Sequence, residues 1–183
     1  MRSLFAALVV VLPTTVWATG WTVDPAQSEI LFTYERAEKP AEGRFNEFAG
    51  EGFIDLEDLE ATRLWIRIES SSIDLYETLA SAFATSAEWF DSKNHPLIVF
   101  ELTEIARQSE TQFEANGDLT IRGQTERVTV PIELTFVNGQ ARAKGDIRLK
   151  RRDYLLGVGP SAAFVTIGPD VSVNFDLTAV PAE

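Results

Sequence analysis

The chain has 183 residues, 45% hydrophobic and 24% charged, with a formal net charge of −12 at pH 7. Such acidity repels nucleic acid and anionic membrane surfaces. The absence of cysteine excludes disulfides, thiolate catalysis and cysteine-bound metal.

Met1 to Ala18 reads as a secretory signal: one charge at Arg2, an apolar run from Leu4 to Leu12, Pro13, and Val16-Trp17-Ala18 ahead of the cleavage point. The apolar run is too short to span a bilayer. Without cysteine there is no lipoprotein anchor, so no stable membrane anchor is expected. Removing 18 residues from 183 leaves 165, residues 19–183, and losing Arg2 takes the net charge from −12 to −13. That is one domain, free in an exported compartment, a bacterial periplasm.

From Trp21 onward, segments of period two alternate with turn signals. Ile30, Phe32 and Tyr34 alternate with Leu31, Thr33 and Glu35. Arg44 to Asp55 is taken as one strand, its Gly50 and Gly52 predicting a bulge or tight bend. Leu64, Ile66 and Ile68 form the next apolar row. Asp74 to Asp91 breaks the period: Leu75, Leu79, Ala82, Phe83, Ser86, Ala87 and Phe90 fall on one helical face, with Asp74 and Glu77 resembling a capping box. Strands then resume at Ile98–Thr103, Phe113–Ile121, Val128–Phe136, Ala141–Leu149 and Val171–Leu177. The two hairpin turns are placed at Gly123-Gln124 and Asn138-Gly139.

About eight strands and one helix predict an all-β domain, an antiparallel barrel or curled sandwich with the helix at one end. Its inward face has two outcomes. The aromatic side chains can interdigitate into a packed core, or the small residues Ala115, Gly117, Ala141, Ala143 and Gly145 can leave room for a ligand.

Chemistry-bearing clusters are sparse. The single histidine, His95, precedes Pro96 in a loop and has no second histidine with which to share a metal. Asp55 to Glu60 lacks the spacing and central glycine of a calcium loop and reads as a solvated acidic turn. Ser70-Ser71-Ser72 has no histidine base and no nucleophile elbow, so its hydroxyls are assigned to turns. No catalytic residue, metal site or cofactor is expected. Arg148, Lys150 and Arg152 alternate outward and are expected to pair with surface acids. Arg151, of opposite parity, is the inward or rim-facing member.

Taken in order, several motifs resemble the YceI-like family: Trp21-Thr22-Val23-Asp24-Pro25 with Ser28; Gly43-Arg44-Phe45; Trp89-Phe90-Asp91 with His95-Pro96 and Phe100; Gly117-Asp118-Leu119-Thr120-Ile121-Arg122-Gly123; and Arg151-Arg152-Asp153-Tyr154. The resemblance implies an extended eight-stranded antiparallel lipocalin-like β-barrel with one helix at about residues 74–91. It further implies a frequently dimeric, periplasmic, non-enzymatic protein linked to stress, whose tunnel holds a polyisoprenoid, an isoprenoid quinone or a fatty amide. The expected tunnel residues are Phe32, Tyr34, Ile66, Phe83, Phe90, Phe100, Phe113, Leu119, Val130, Ile132, Phe136 and Phe175. Two departures stand out. Arg36 replaces a histidine that commonly follows the first strand, and Ala80-Ser81-Ala82-Phe83-Ala84 replaces an Arg-Asp-x-His-Leu run. Arg36 and Arg151 are the substitute polar anchors.

Three functions follow from this reading. The first is a periplasmic lipid carrier or reservoir. The second is a stress-related protein-interaction module with a filled barrel, and the third a lipid-acting hydrolase or isomerase using buried carboxylates.

Overall fold

A computed structural model describes residues 20–160 and 166–182; the expected signal, residues 1–18, lies outside them. Eleven strands run in chain order: β1 Gly20–Val23, β2 Glu29–Arg36, β3 Lys39–Phe45, β4 Phe48–Phe53, β5 Arg63–Glu69, β6 Ile73–Asp74, β7 Leu97–Arg107, β8 Gln112–Ile121, β9 Gln124–Val137, β10 Gln140–Lys150 and β11 Ile167–Pro181. Among the described residues the one α-helix, α1, spans Thr78–Ala84.

The strands close into an eight-stave antiparallel barrel, because three staves are each built from two short strands: β1 with β2, β3 with β4, and β5 with β6. The long β11 shows why. Its start pairs with β2, Val171 opposite Tyr34, and its end pairs with β1, Trp21 opposite Pro181. Between them, Asp24 Oδ1 accepts from Ala26 N at 2.9 Å, and Ser28 Oγ donates to Asp24 O at 2.7 Å while accepting from Thr178 N at 2.9 Å. The Asp24-Pro25 and Ser28 motif is therefore the joint of a broken stave. Its side-chain bonds replace the ladder that the turn interrupts.

Hairpin chemistry sets the register elsewhere. Ala37-Glu38, Arg122-Gly123 and Asn138-Gly139 each have both residues at positive φ, as a two-residue type I′ turn requires. The turn expected at Gly123-Gln124 thus lies one residue earlier. The ladder from Phe113 opposite Ile132 to Ile121 opposite Gln124 is unbroken, which puts one apolar row of β8 and β9 on the inner face.

Three expectations are corrected. Arg44–Asp55 is two strands parted at Asn46-Glu47, where Asn46 N donates to Ser72 O and Glu47 N to Ser72 Oγ. Gly50 and Gly52 form no bulge, since β4 and β5 pair in continuous register. A Cβ at Gly50 would lie 2.4 Å from Ile66 Cδ1 and 2.6 Å from Val23 Cγ2, so that glycine permits close approach. The helix covers only Thr78–Ala84 of the expected 74–91. Asp74 belongs to β6 and accepts from Tyr76 N at 2.8 Å, while Tyr76 and Asp91 have φ of 59° and 48°. These left-handed residues bracket the segment and stop a helix from running through it. Glu77 makes no capping bond, and Leu79 of the expected buried face is 86% exposed. Residues beyond α1 form turns stitched by Phe90 N to Ala84 O, Asp91 N to Ser86 O and His95 N to Asp91 O.

Candidate functional site

The barrel encloses a cavity of about 580 Å³, within the range of small-molecule sites. Its wall comes from the inward rows of the staves: Ile30, Phe32 and Tyr34 of β2; Leu64, Ile66 and Ile68 of β5; Leu119 and Ile121 of β8; Val128, Val130 and Ile132 of β9; Ala143, Ile147 and Leu149 of β10; Val171, Val173, Phe175 and Leu177 of β11. Alternation makes each stave contribute every second side chain, and that is why a wall so apolar can be built from a chain so acidic. At one end Leu75, Leu79, Ala80, Phe83 and Ala84 lie across the mouth, with Arg36 and Glu77 at its rim. Toward the other end, a second cavity of about 60 Å³ shares Leu64, Ile66, Ala143 and Leu177 with the first.

Twelve of the fourteen expected residues line the main cavity: Phe32, Tyr34, Arg36, Ile66, Phe83, Phe90, Phe100, Leu119, Val130, Ile132, Arg151 and Phe175. Phe113 and Phe136 do not. Phe113 is buried beyond the floor with Leu134 and Ala141, its ring under the Arg107 guanidinium at 4.9 Å. Phe136 is 43% exposed at the end of β9 and packs on Trp21 with ring centroids 5.7 Å apart. Both have inward parity but stand past the end of the open space.

Small residues prove only partly to be room for a ligand. A Cβ at Gly43 would fall 2.4 Å from Phe32 Cζ, at Gly117 2.4 Å from Phe100 Cε2, and at Gly145 2.6 Å from Phe175 Cζ. Each of these glycines accommodates one of the barrel's own rings, and the remaining volume is the cavity.

Arg151 is 7% exposed and does not serve as a free anchor. Its Nε donates to Gly168 O at 2.9 Å, Nη1 to Leu156 O at 2.6 Å and Gly157 O at 3.1 Å, and Nη2 to Ile167 O at 3.1 Å. The guanidinium fork fastens the turn after β10 to the start of β11, and burial lowers its pKa from the usual arginine value. Its charge sits 5.6 Å from the centroid of the Trp89 ring. Trp89 also lines the cavity, and its buried Nε1 has no hydrogen-bond partner among the described residues.

Sequence reasoning missed three wall residues that lie in the turns beyond α1 and β10: Trp89, Tyr154 and Leu156. They carry no periodic signal, although Trp89 and Tyr154 stand inside quoted family motifs. Burial, with Glu126 and Asp153 adding to it, pushes the Tyr154 hydroxyl up to about 12. Arg122 was also missed. It reaches from its hairpin turn to Leu155 O and, at 2.6 Å, to Ala87 O, tying both capping segments to the barrel.

The other clusters are structural. Ser70 Oγ donates to His95 O at 2.8 Å and Ser72 Oγ to Glu69 O at 2.7 Å. The His95 ring rests against Gly123, and Asp55 Oδ1 accepts from Glu57 N and Asp58 N. Arg148, Lys150 and Arg152 are exposed, but none has the expected ion pair among the described residues. No cluster of potential metal ligands occurs among the described residues.

The YceI-like domain profile matches residues 21–179. The chain belongs to the YceI-like family. A Vibrio cholerae relative of the UPF0312 group is 26% identical over 168 residues, 87% of this chain and 89% of the relative. The YceI-like barrel superposes on Burkholderia cenocepacia BcnA with a TM-score of 0.78 and 26% identity, covering 85% of this chain and 98% of BcnA. A polyisoprenoid binding domain from Saccharophagus degradans, implicated in plant cell wall breakdown, gives a TM-score of 0.73 at 13% identity over 90% of this chain and 99% of that domain. That likeness speaks for the YceI-like fold alone.

Proposed function

We propose that this YceI-like protein holds a long-chain apolar lipid, a polyisoprenoid, isoprenoid quinone or fatty amide, inside its barrel and carries or stores it in the periplasm. The observation that carries the proposal is the cavity of about 580 Å³ walled by aliphatic and aromatic side chains and reached past α1. Desolvation supplies the affinity: each Å² of apolar surface removed from water is worth about 25 cal/mol, so a long chain binds tightly with few polar contacts. The description of the Saccharophagus degradans domain as polyisoprenoid-binding supports the same reading. Export is supported by the charge, short apolar run and small residues of Met1 to Ala18.

A protein-interaction module with a filled barrel would lack this cavity. A lipid-acting hydrolase or isomerase would need a buried carboxylate on the wall, whereas the carboxylate there, Glu77, is 61% exposed and paired with Arg36. Organic extraction of protein purified from its native host, followed by mass spectrometry, tests the proposal. A stoichiometric long-chain lipid is expected. Its absence, together with no uptake of isoprenoids, quinones or fatty amides by the emptied barrel, would overturn it.

A further inference from the structure

The wall of the cavity is not uniformly apolar, and its polarity lies at one end. Among the residues lining the main cavity the charged ones are Arg36, Glu77 and Arg151. Two cations against one anion leave the wall net positive in a protein of net charge −12. The cations share an end: Arg36 pairs in register with Ile167, whose carbonyl accepts from Arg151 Nη2. Arg151 contributes charge but few donors, since four carbonyls already occupy its fork.

Arg36 is differently placed. Its Nη1 donates to Glu77 Oε1 at 3.1 Å, and no other bond is made by its guanidinium among the described residues. Two residues earlier on the same face of β2, Tyr34 lines the cavity, and its hydroxyl has no hydrogen-bond partner among the described residues. Arg36 and Glu77 side chains are 42% and 61% exposed, and such rim pairs are worth about 0–1 kcal/mol. Glu77, in the connection ahead of α1, can swing into water at little cost.

We propose that this mouth is a head-group site for an anion carried on a single long apolar chain, with Arg36 as the ionic partner and Tyr34 as the hydrogen-bond donor. The proposal rests on the lipid-holding reading and specifies the head group that reading leaves open. The chain lies in the barrel, and the anion takes the place of Glu77 at the rim. There it keeps part of its hydration, so its desolvation penalty stays small. A neutral head group would leave the Arg36–Glu77 pair intact and gain one hydrogen bond from Tyr34. An anion gains charge-assisted bonds from the planar guanidinium, which suits carboxylate and phosphate alike.

The test measures dissociation constants of the mature protein, emptied of lipid, for oleate, oleamide and oleyl alcohol, and for geranylgeranyl phosphate and geranylgeraniol. The anion of each series is expected to bind about tenfold more tightly than its alcohol at low salt, with the ratio shrinking at high salt. Arg36→Gln should remove that ratio by weakening the anions far more than the alcohols, whose retained binding checks that the barrel is folded. Glu77→Gln should raise the ratio severalfold. A preference confined to oleate would identify the anion as a carboxylate, and one confined to the phosphate would identify it as a phosphate. Equal binding of anions and alcohols, or a ratio that survives Arg36→Gln, would overturn the proposal while the lipid-holding reading stands. Failure of every probe to bind would overturn that reading itself.

Discussion

Gly145 faces Phe175 across the β10–β11 ladder, and a Cβ at Gly145 would lie 2.6 Å from the ring's Cζ and 2.6 Å from Pro131 O. A methyl group there is blocked on one side by backbone, which cannot yield, so it must push the ring further into the cavity. Gly145→Ala is expected to destabilise the barrel by about 1–3 kcal/mol, the usual cost of overpacking. Lipid capacity should fall with it. Urea unfolding midpoints and binding stoichiometry measured on the same variant check both effects.

Ala143 lines the main cavity and also the smaller one beyond it. A large side chain at this position fills the inner end of the main cavity, away from the mouth. Ala143→Phe should therefore shorten the longest chain that the barrel accepts. Losing burial of two methylenes costs about 1.6 kcal/mol, roughly a tenfold weakening. Affinities across a homologous series of chain lengths should break at a shorter chain in the variant and stay unchanged below the break.

The barrel was legible in the sequence wherever a stave has one dry and one wet face. Leu119 and Ile121 on β8 and Val128, Val130 and Ile132 on β9 reach the cavity because period two leaves only two choices of face, and the two-residue turn fixes the register. The helix was overread because helical spacing from Leu75 to Phe90 coexists with backbone reversals at Tyr76 and Asp91, which local pattern does not reveal. Gly117 and Gly145 looked like vacancies because the rings that fill them, Phe100 and Phe175, lie on other strands. Phe136 had the right parity, but its distance along the stave depends on where the cavity floor lies. Trp89, Tyr154 and Leu156 come from capping loops, where no period exists to be read.

Arg151 was expected as an anchor at the mouth and serves instead as a clamp on backbone carbonyls of Leu156, Gly157, Ile167 and Gly168. Removing it leaves buried acceptors without donors. Arg151→Met should cost about 2–4 kcal/mol. Lysine should restore little, since one ammonium cannot reproduce a fork that spans two chain segments. Amide hydrogen exchange is expected to rise selectively at residues 152–157, and recovery of full protection by Arg151→Lys would refute the clamp.

Tyr154 makes the fold sensitive to alkali. Burial raises its pKa from 10.0 to about 12, so the folded state binds this proton more tightly than the unfolded state does. Its contribution to stability is fully present below pH 10 and is lost as pH rises toward about 12. Burial also raises the Tyr34 pKa, which acts in the same direction, so the informative quantity is the difference between wild type and Tyr154→Phe. Phenylalanine keeps the ring packing but has no proton to lose. The variant's stability should therefore decline less steeply across this interval. Denaturant titrations at stepped pH read the slope, and parallel curves for the two proteins would show that Tyr154 ionises as readily in the fold as in the open chain.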